Sequence, residues 1–348
     1  MTRRNSLFAA TMLAGTAAAF SLMSTGAAQA QGALVMYCAV QEEWCRAMTS
    51  AFERETGIKV SMTRKSSGEI YAQVKAEAQN PRADIWWGGT GDPHMQAAEE
   101  GLTMEYKSPN MGELQDWAVR QWEQSKNRTV GIYSGALGFG YNTELVKANG
   151  IKEPKCWADL LNEDLKDEVQ VADPNSSGTA YTLLATIVQL MGEEKGFEYL
   201  KSLHKNVNQY TKSGAAPAKA TALGETTVGI VFMHDMVTMV VDNAPVKVVA
   251  PCEGTGYEIG SMSIIKGAKN LENAKKFYDW ALTPAAQKLG AEAKSYQVPS
   301  NKNTPVPPQA PKLDEIKLIN FDFAKYGSSE ERRRLLSKWD NEVKNLPK

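Results

Sequence analysis

Between residues 33 and 101 the chain alternates short apolar runs with stretches of helical period, and glycine or a capping hydroxyl marks most of the passages. Ala33 to Ala39 is a continuous apolar run that reads as a buried strand. Trp44, Met48 and Phe52 then recur at helical spacing, and Gly57 stands where a helix needs a left-handed closing residue. Ile58, Val60 and Met62 alternate as strand residues do. Ser66-Ser67 cap a helix carrying Ile70, Val74 and Ala78 on one face, which stops before Pro81. Asp84-Ile85-Trp86-Trp87 is a third strand, running into Gly88-Gly89-Thr90-Gly91, with Asp92 expected as N-cap and Pro93 at the first helical position. Three strands separated by two helices predict a mostly parallel sheet covered on both faces.

The pattern continues. Val130-Gly131-Ile132-Tyr133 is a strand, Asn142 or Thr143 caps a helix ending at Gly150, and Thr227 to Phe232 and Val246 to Ala250 are further strands. Leu271 to Leu282 is an amphipathic helix. The proline-rich stretch 299–311 has little periodicity and reads as a linker or surface arm, and Ser328 to Leu346 returns to helix. A length of 348 residues exceeds one small core. Strand-like passages near 130–142 and 248–256 suggest a chain that crosses twice between two α/β domains. No internal repeat is visible.

The first thirty residues set the compartment. Arg3-Arg4 precede a weakly apolar run from Leu7 to Met23, and Ala28-Gln29-Ala30 supplies the small-x-small pattern of a signal-peptidase site. Export to the periplasm with cleavage after Ala30 is expected; the twin-arginine and general routes both remain open. Export makes Cys38, Cys45, Cys156 and Cys252 candidates for two disulfides. A strand-to-helix turn can bring Cys38 and Cys45 within the roughly 6 Å that a bridge requires, whereas Cys156 and Cys252, far apart in sequence, would have to meet by folding. Cys-x-x-Cys spacing is absent, so a zinc site or redox pair has little support.

A net charge of −1, with 43% hydrophobic and 23% charged residues, is the balance of a globular protein and argues against a nucleic-acid surface. The triplet Arg332-Arg333-Arg334 is offset by Glu330-Glu331. Enzyme signatures fare poorly: there is no Gly-x-Ser-x-Gly elbow and no His-Glu-x-x-His helix. The junctions Ser66-Ser67-Gly68, Gly88-Gly89-Thr90-Gly91 and Ser176-Ser177-Gly178-Thr179 instead place hydroxyls and free N–H groups at helix starts, where an anion is favoured. Each alone is more often a structural cap. His234-Asp235 follows the apolar run Val228 to Met233, and Glu258 lies among glycines; both are either internally satisfied or ligand contacts. His204 reads as a solvated helix residue, and His94 as a residue facing ligand or solvent.

The run Leu137-Gly138-Phe139-Gly140-Tyr141-Asn142-Thr143 resembles the inter-domain crossing of type II periplasmic substrate-binding proteins of ABC importers. Trp157-Ala158-Asp159-Leu160-Leu161, Ala172-Asp173-Pro174, Leu223-Gly224-Glu225 and Ala274-Lys275-Lys276-Phe277 are similar to that family as well, so the resemblance covers residues 33–295. It implies an α/β fold of two lobes with a two-strand hinge and a central ligand cleft. On this reading residues 31–131 plus 255–302 form one lobe, 132–254 plus 303–348 the other, and 1–30 the signal peptide.

Within the family the chain resembles the ferric-iron-binding branch, but that branch's ligand positions carry Gln41 for histidine, Gly89 for glutamate, and His234-Asp235 for paired tyrosines. Ferric iron wants anionic oxygen, and this set is a poor cage. His234, Asp235 and Glu258 instead resemble the AfuA-type branch, which binds hexose phosphates and grips sugar hydroxyls with His, Asp and Glu. The resemblance therefore implies a non-enzymatic carrier of a phosphorylated solute. Gln41, Ser66, Ser67, Gly89, Thr90, Ser176, Ser177, Gly178, Thr179, His234, Asp235 and Glu258 would be its contacts, with no metal and no cofactor. A permease–ATPase complex would be its partner, with a membrane sensor as a further one, and the carrier would act as a monomer. A ferric or phosphonate carrier and a periplasmic phosphatase are the alternative readings.

Overall fold

The structure, a computed structural model, describes residues 32–347; the expected signal peptide lies outside them. The chain opens as β1 (Ala33–Cys38), α1 (Glu42–Thr56), β2 (Lys59–Arg64), α2 (Ser67–Ala76), β3 (Ile85–Thr90) and α3 (Gly91–Glu99). Glu42 and Glu43 in its first turn and Arg54 in its last suit the dipole of α1. Gly57, at φ +71°, closes it by donating its N–H to Glu53 O at 2.8 Å. Strand β1 pairs parallel with β2 and β3. Strand β3 runs through Gly88 and Gly89, both at positive φ, so that Thr90 and not Asp92 is the N-cap of α3. The double glycine lets the strand continue to the helix, which moves the cap two residues upstream of the expected position.

After α4 (Asp116–Gln124) comes β4 (Val130–Asn142), a single strand of 13 residues buried along its whole length. Its first half pairs antiparallel with β9, its second half with β7 and β8. It thus belongs to two cores. Between these pairings lie α5 (Thr143–Ala148), β5 (Val169–Ala172), α6 (Gly178–Met191), α7 (Glu193–His204), β6 (Val207–Thr211), α8 (Ala216–Leu223), β7 (Val228–Phe232), α9 (Met233–Val241) and β8 (Val246–Val249). The return passage is β9 (Tyr257–Ile264), which begins later than the expected 248–256. The chain ends with α10 (Leu271–Ala281), α11 (Pro284–Glu292), β10 (Val298–Pro299), α12 (Phe323–Tyr326) and α13 (Ser329–Trp339). The strand order is β2-β1-β3-β9-β4-β7-β5-β6, with β8 and β10 also on β4.

One apolar core gathers Leu34, Met36, Trp44, Phe52, Trp87 and Phe277; another gathers Phe139, Trp157, Leu184, Phe197, Ile230 and Trp339. The proline-rich stretch is not a free arm: Val298 and Pro299 pair with β4, and Pro305 and Pro307 line a pocket together with Trp44 and Met48. Both disulfides form as expected, Cys38–Cys45 with Cα atoms 6.1 Å apart and Cys156–Cys252 at 4.7 Å.

Candidate functional site

Six helices begin at one cavity. Gln41 caps α1, Ser66 caps α2, Thr90 caps α3, Ser177 caps α6, Ala215 precedes α8 and Phe232 precedes α9, and all six residues line one cleft, of about 430 Å³ with its opening to solvent included. Within β1–β3, and again within β5–β7, parallel strands bring their carboxyl ends, and so the starts of the following helices, to one side. The two sets run in opposite senses and connect to different halves of β4, so both end toward its middle. The partial positive charge of each helix start therefore points into the same cleft.

One wall is suited to an anion. Ser66, Ser67, Ser177, Gly178, Thr179 and Gly214 line it together with Arg64. Arg64 donates through Nε to Val40 O at 3.0 Å and through Nη2 to Ser213 Oγ at 3.3 Å, which aims the guanidinium along this wall. The packing is tight: a Cβ on Gly178 would stand 1.8 Å from Thr90 Oγ1, and one on Gly214 2.0 Å from Thr179 Oγ1. Ser66 Oγ donates to Lys212 O at 3.0 Å, and Gly68 N–H to Ser176 O at 3.0 Å, joining the two halves of the wall.

The same cavity is also lined by His234, Asp235 and Glu258, all buried. His234 Nε2 lies 3.9 Å from Asp235 Oδ1 and 3.8 Å from Glu258 Oε1, while Nδ1 is buried without a partner against Gly135. Burial lowers the His234 pKa to about 3, so the ring is neutral. Burial raises Asp235 to about 6, opposed by the hydrogen bond from Gln41 and by the charges of Arg64 and Lys219. Glu258 is pushed well above the carboxylate range by burial and by the negative charges of Asp235 and Asp92. A protonated acid, a titrating carboxylate and a neutral imidazole together offer both donors and acceptors, which is what vicinal hydroxyl groups require.

Of the residues expected from sequence, all but Ser176 line this cavity. The Ser176 hydroxyl donates instead to Lys212 O and Asp173 O, bracing the loop before α6 from behind. Gly89 is in the lining, but its N–H donates to Tyr133 Oη at 3.0 Å and so is already used. His234 and Asp235 sit in the first turn of α9, one step past the strand end where the apolar run placed them. His204 is buried, not solvated: it bonds Tyr210 Oη at 2.8 Å and Leu346 O at 3.0 Å. His94 faces neither solvent nor cavity; it stacks on Trp86 with ring centroids 3.7 Å apart and bonds Ser263 Oγ. Sequence reasoning missed Arg64, Tyr133, Gly214, Ala215 and Gln297, which also line the cavity. Arg64 carried a readable signal, a cation at the carboxyl end of a parallel strand just before a capping serine.

The family described as bacterial extracellular solute-binding protein matches residues 80–326. The chain belongs to the bacterial extracellular solute-binding proteins. This solute-binding protein is 49% identical over 329 residues to an uncharacterized protein of Haemophilus influenzae, covering 94% of this chain and 95% of that one. It is 26% identical over 249 residues to the spermidine/putrescine-binding periplasmic protein 1 of the same organism, with 68% of each chain covered. Among solved structures it is similar to the periplasmic binding protein AfuA of Actinobacillus pleuropneumoniae with fructose 6-phosphate bound. There the identity is 45% and the TM-score 0.87, over 91% of this chain and all of that one. Iron-bound HitA of Pseudomonas aeruginosa shares the fold at 19% identity and TM-score 0.74, over 88% and 98% of the chains. The solute-binding protein is thus of the type II periplasmic class, close to the AfuA-type proteins and related to the ferric-binding and polyamine-binding ones. Membership implies a periplasmic component of an ABC importer, which binds a small solute and serves a membrane permease–ATPase complex. AfuA and the spermidine/putrescine-binding relative are binding proteins. Among the described residues, no helix is long and apolar enough to cross a membrane.

Proposed function

We propose that this protein captures a phosphorylated sugar, of the hexose phosphate class, in the six-helix cavity and delivers it to its importer. The observation that carries the reading is the mixed lining of the cavity: helix starts, hydroxyls and a guanidinium beside three buried groups that both donate and accept. Arg64 and the starts of α2, α6 and α8 form an anion-binding end. His234, Asp235 and Glu258 form a buried, largely uncharged hydrogen-bonding end. A phosphate monoester fits the first end, because backbone N–H groups and one guanidinium can surround its oxygens. A polyol ring fits the second, since each hydroxyl both donates and accepts. That fructose 6-phosphate is bound to the 45% identical AfuA supports the ligand class.

On this reading the lobes are residues 31–131 with 255–302 and residues 132–254 with 303–348. They close on the ligand about β4 and β9, and contacts such as Arg64 to Ser213 and Ser66 to Lys212 hold the closed form. The protein acts as a monomer after removal of residues 1–30, without metal or cofactor. The test is a thermal-shift panel of hexose phosphates, a phosphonate, inorganic phosphate, a free hexose and ferric citrate. A ligand at 100 times its dissociation constant stabilises a protein by about 2.7 kcal/mol. Hexose phosphates should give the largest shift; a larger shift with ferric citrate or the phosphonate would overturn the reading, and turnover of the phosphate ester would favour a phosphatase.

A further inference from the structure

Helices α3 and α6 meet at the cavity, where Gly178 packs against Thr90 so closely that no side chain fits between them. Behind this contact, away from the cavity lining, lies Arg332 of α13. Its Nε donates to Asp92 Oδ2 at 2.9 Å, in the first turn of α3. Its guanidinium lies over the ring of Tyr181, in the first turns of α6, at 4.7 Å from the centroid. The side chain is 3% exposed, and Nη2 has no partner. A guanidinium buried this deeply with one carboxylate and one ring face is expensive to desolvate, so simple helix stability does not explain it. Its neighbours Arg333 and Arg334 pair on the surface with Glu100, Glu193 and Glu331.

The partners of Arg332 belong to different cores. Helix α3 packs with Trp86 and Ile70 through Ala97, whereas Tyr181, Leu335 and Trp339 belong to the core on the other side of β4. Ser329, one turn before Arg332, repeats the link by donating to Glu99 Oε2 at 2.7 Å and to Glu100 Oε1 at 3.2 Å. We infer that Arg332 is a positioning residue: it pins the start of α3 to the start of α6 from behind. It thereby holds Thr90 in register with Ser177, Gly178 and Thr179 at the cavity. The role is independent of which solute binds.

Four variants test this: Arg332→Met, Arg332→Lys, Asp92→Asn and the pair Arg332→Met with Asp92→Asn. The deciding readout is the distance distribution between spin labels at exposed Ser50 and Leu223, on the two sides of β4, in protein stripped of ligand. Arg332→Met should broaden and shift that distribution, and Arg332→Lys should restore part of it by keeping the pair with Asp92. The double variant removes the stranded carboxylate and so should regain folding stability, yet keep the altered distribution. Affinity for fructose 6-phosphate should fall about tenfold or more in both Met variants. A distance distribution and affinity equal to the unmodified protein's in the double variant would overturn the pin. Because the distance reading needs no ligand, it decides the matter even if fructose 6-phosphate does not bind.

Discussion

Gln41 donates its side-chain N–H to Asp235 Oδ1 across 194 residues of sequence, joining the start of α1 to the start of α9 through the cavity. The Gln41 carbonyl in turn accepts from Ser295 Oγ at 3.1 Å. One buried carboxylate is thereby held in place by a neutral amide, which fixes its orientation without neutralising it. Asp235 is left able to serve a ligand.

Asp235→Ala is expected to cost roughly tenfold to hundredfold in affinity for a hexose phosphate, since a hydrogen bond to a charged group is worth about 1.5–3 kcal/mol. Glu258→Ala and His234→Ala should each cost less, because burial keeps the Glu258 carboxyl protonated and the imidazole neutral. Titration calorimetry of folded variants checks this. Unchanged affinity in the two carboxylate variants would return both residues to a structural role.

The same carboxylate sets a pH dependence. Burial moves Asp235 from 3.8 to about 6, so the folded chain holds this proton more tightly than the unfolded one. The resulting stabilisation is fully present below pH 3.8 and is lost as pH rises through about 6. At 1.36 kcal/mol per decade, the loss reaches about 3 kcal/mol at neutral pH. Glu258, raised in the same direction, adds to it. Asp235→Asn should therefore make ligand-free protein more stable at pH 7 and no more stable near pH 4, measured by denaturant titration. Parallel profiles for the two proteins would contradict the assignment.

Arg64→Met should weaken every phosphorylated ligand by a similar factor, about tenfold to hundredfold, whatever the sugar. It should leave the ranking among sugars unchanged. Competition binding with several hexose phosphates reads both. A changed ranking would place Arg64 at the sugar end.

How far the residues alone revealed this site depends on how far apart its contacts lie in sequence. The order of strands and helices was readable because apolar periodicity and caps such as Ser66, Asn142 and Ser177 are local signals. His234, Asp235 and Glu258 stood out through resemblance, and their polarity beside apolar or glycine-rich runs made them visible. Arg64 has a local signal at its strand end, but what aims it along the cavity is Ser213, 149 residues away. Tyr133 looked like one more strand residue until its hydroxyl met Gly89. His204 was misjudged for the same reason: its lysine neighbours suggest solvent, but Tyr210 and the backbone of Leu346 fold over it.

The disulfides should matter unequally. Cys156–Cys252 closes a separation of 96 residues and Cys38–Cys45 one of 7. In the chain-entropy account these correspond to about 4.7 and about 2.4 kcal/mol. Oxidised protein should show no alkylatable thiol under denaturing conditions, and removing the long-range bridge should lower the melting temperature more. A larger loss from removing Cys38–Cys45 would show that native-state packing, not loop closure, governs their contribution.

The central claim is that one cavity holds a phosphate at one end and a sugar at the other. Titration of ligand-stripped protein with fructose 6-phosphate, inorganic phosphate and free fructose under identical conditions tests it most directly. The hexose phosphate should bind at least about a hundredfold tighter than either fragment, because each fragment forgoes the contacts of one wall. Binding of fructose 6-phosphate no tighter than inorganic phosphate would contradict the claim, since the wall of His234, Asp235 and Glu258 would then contribute nothing.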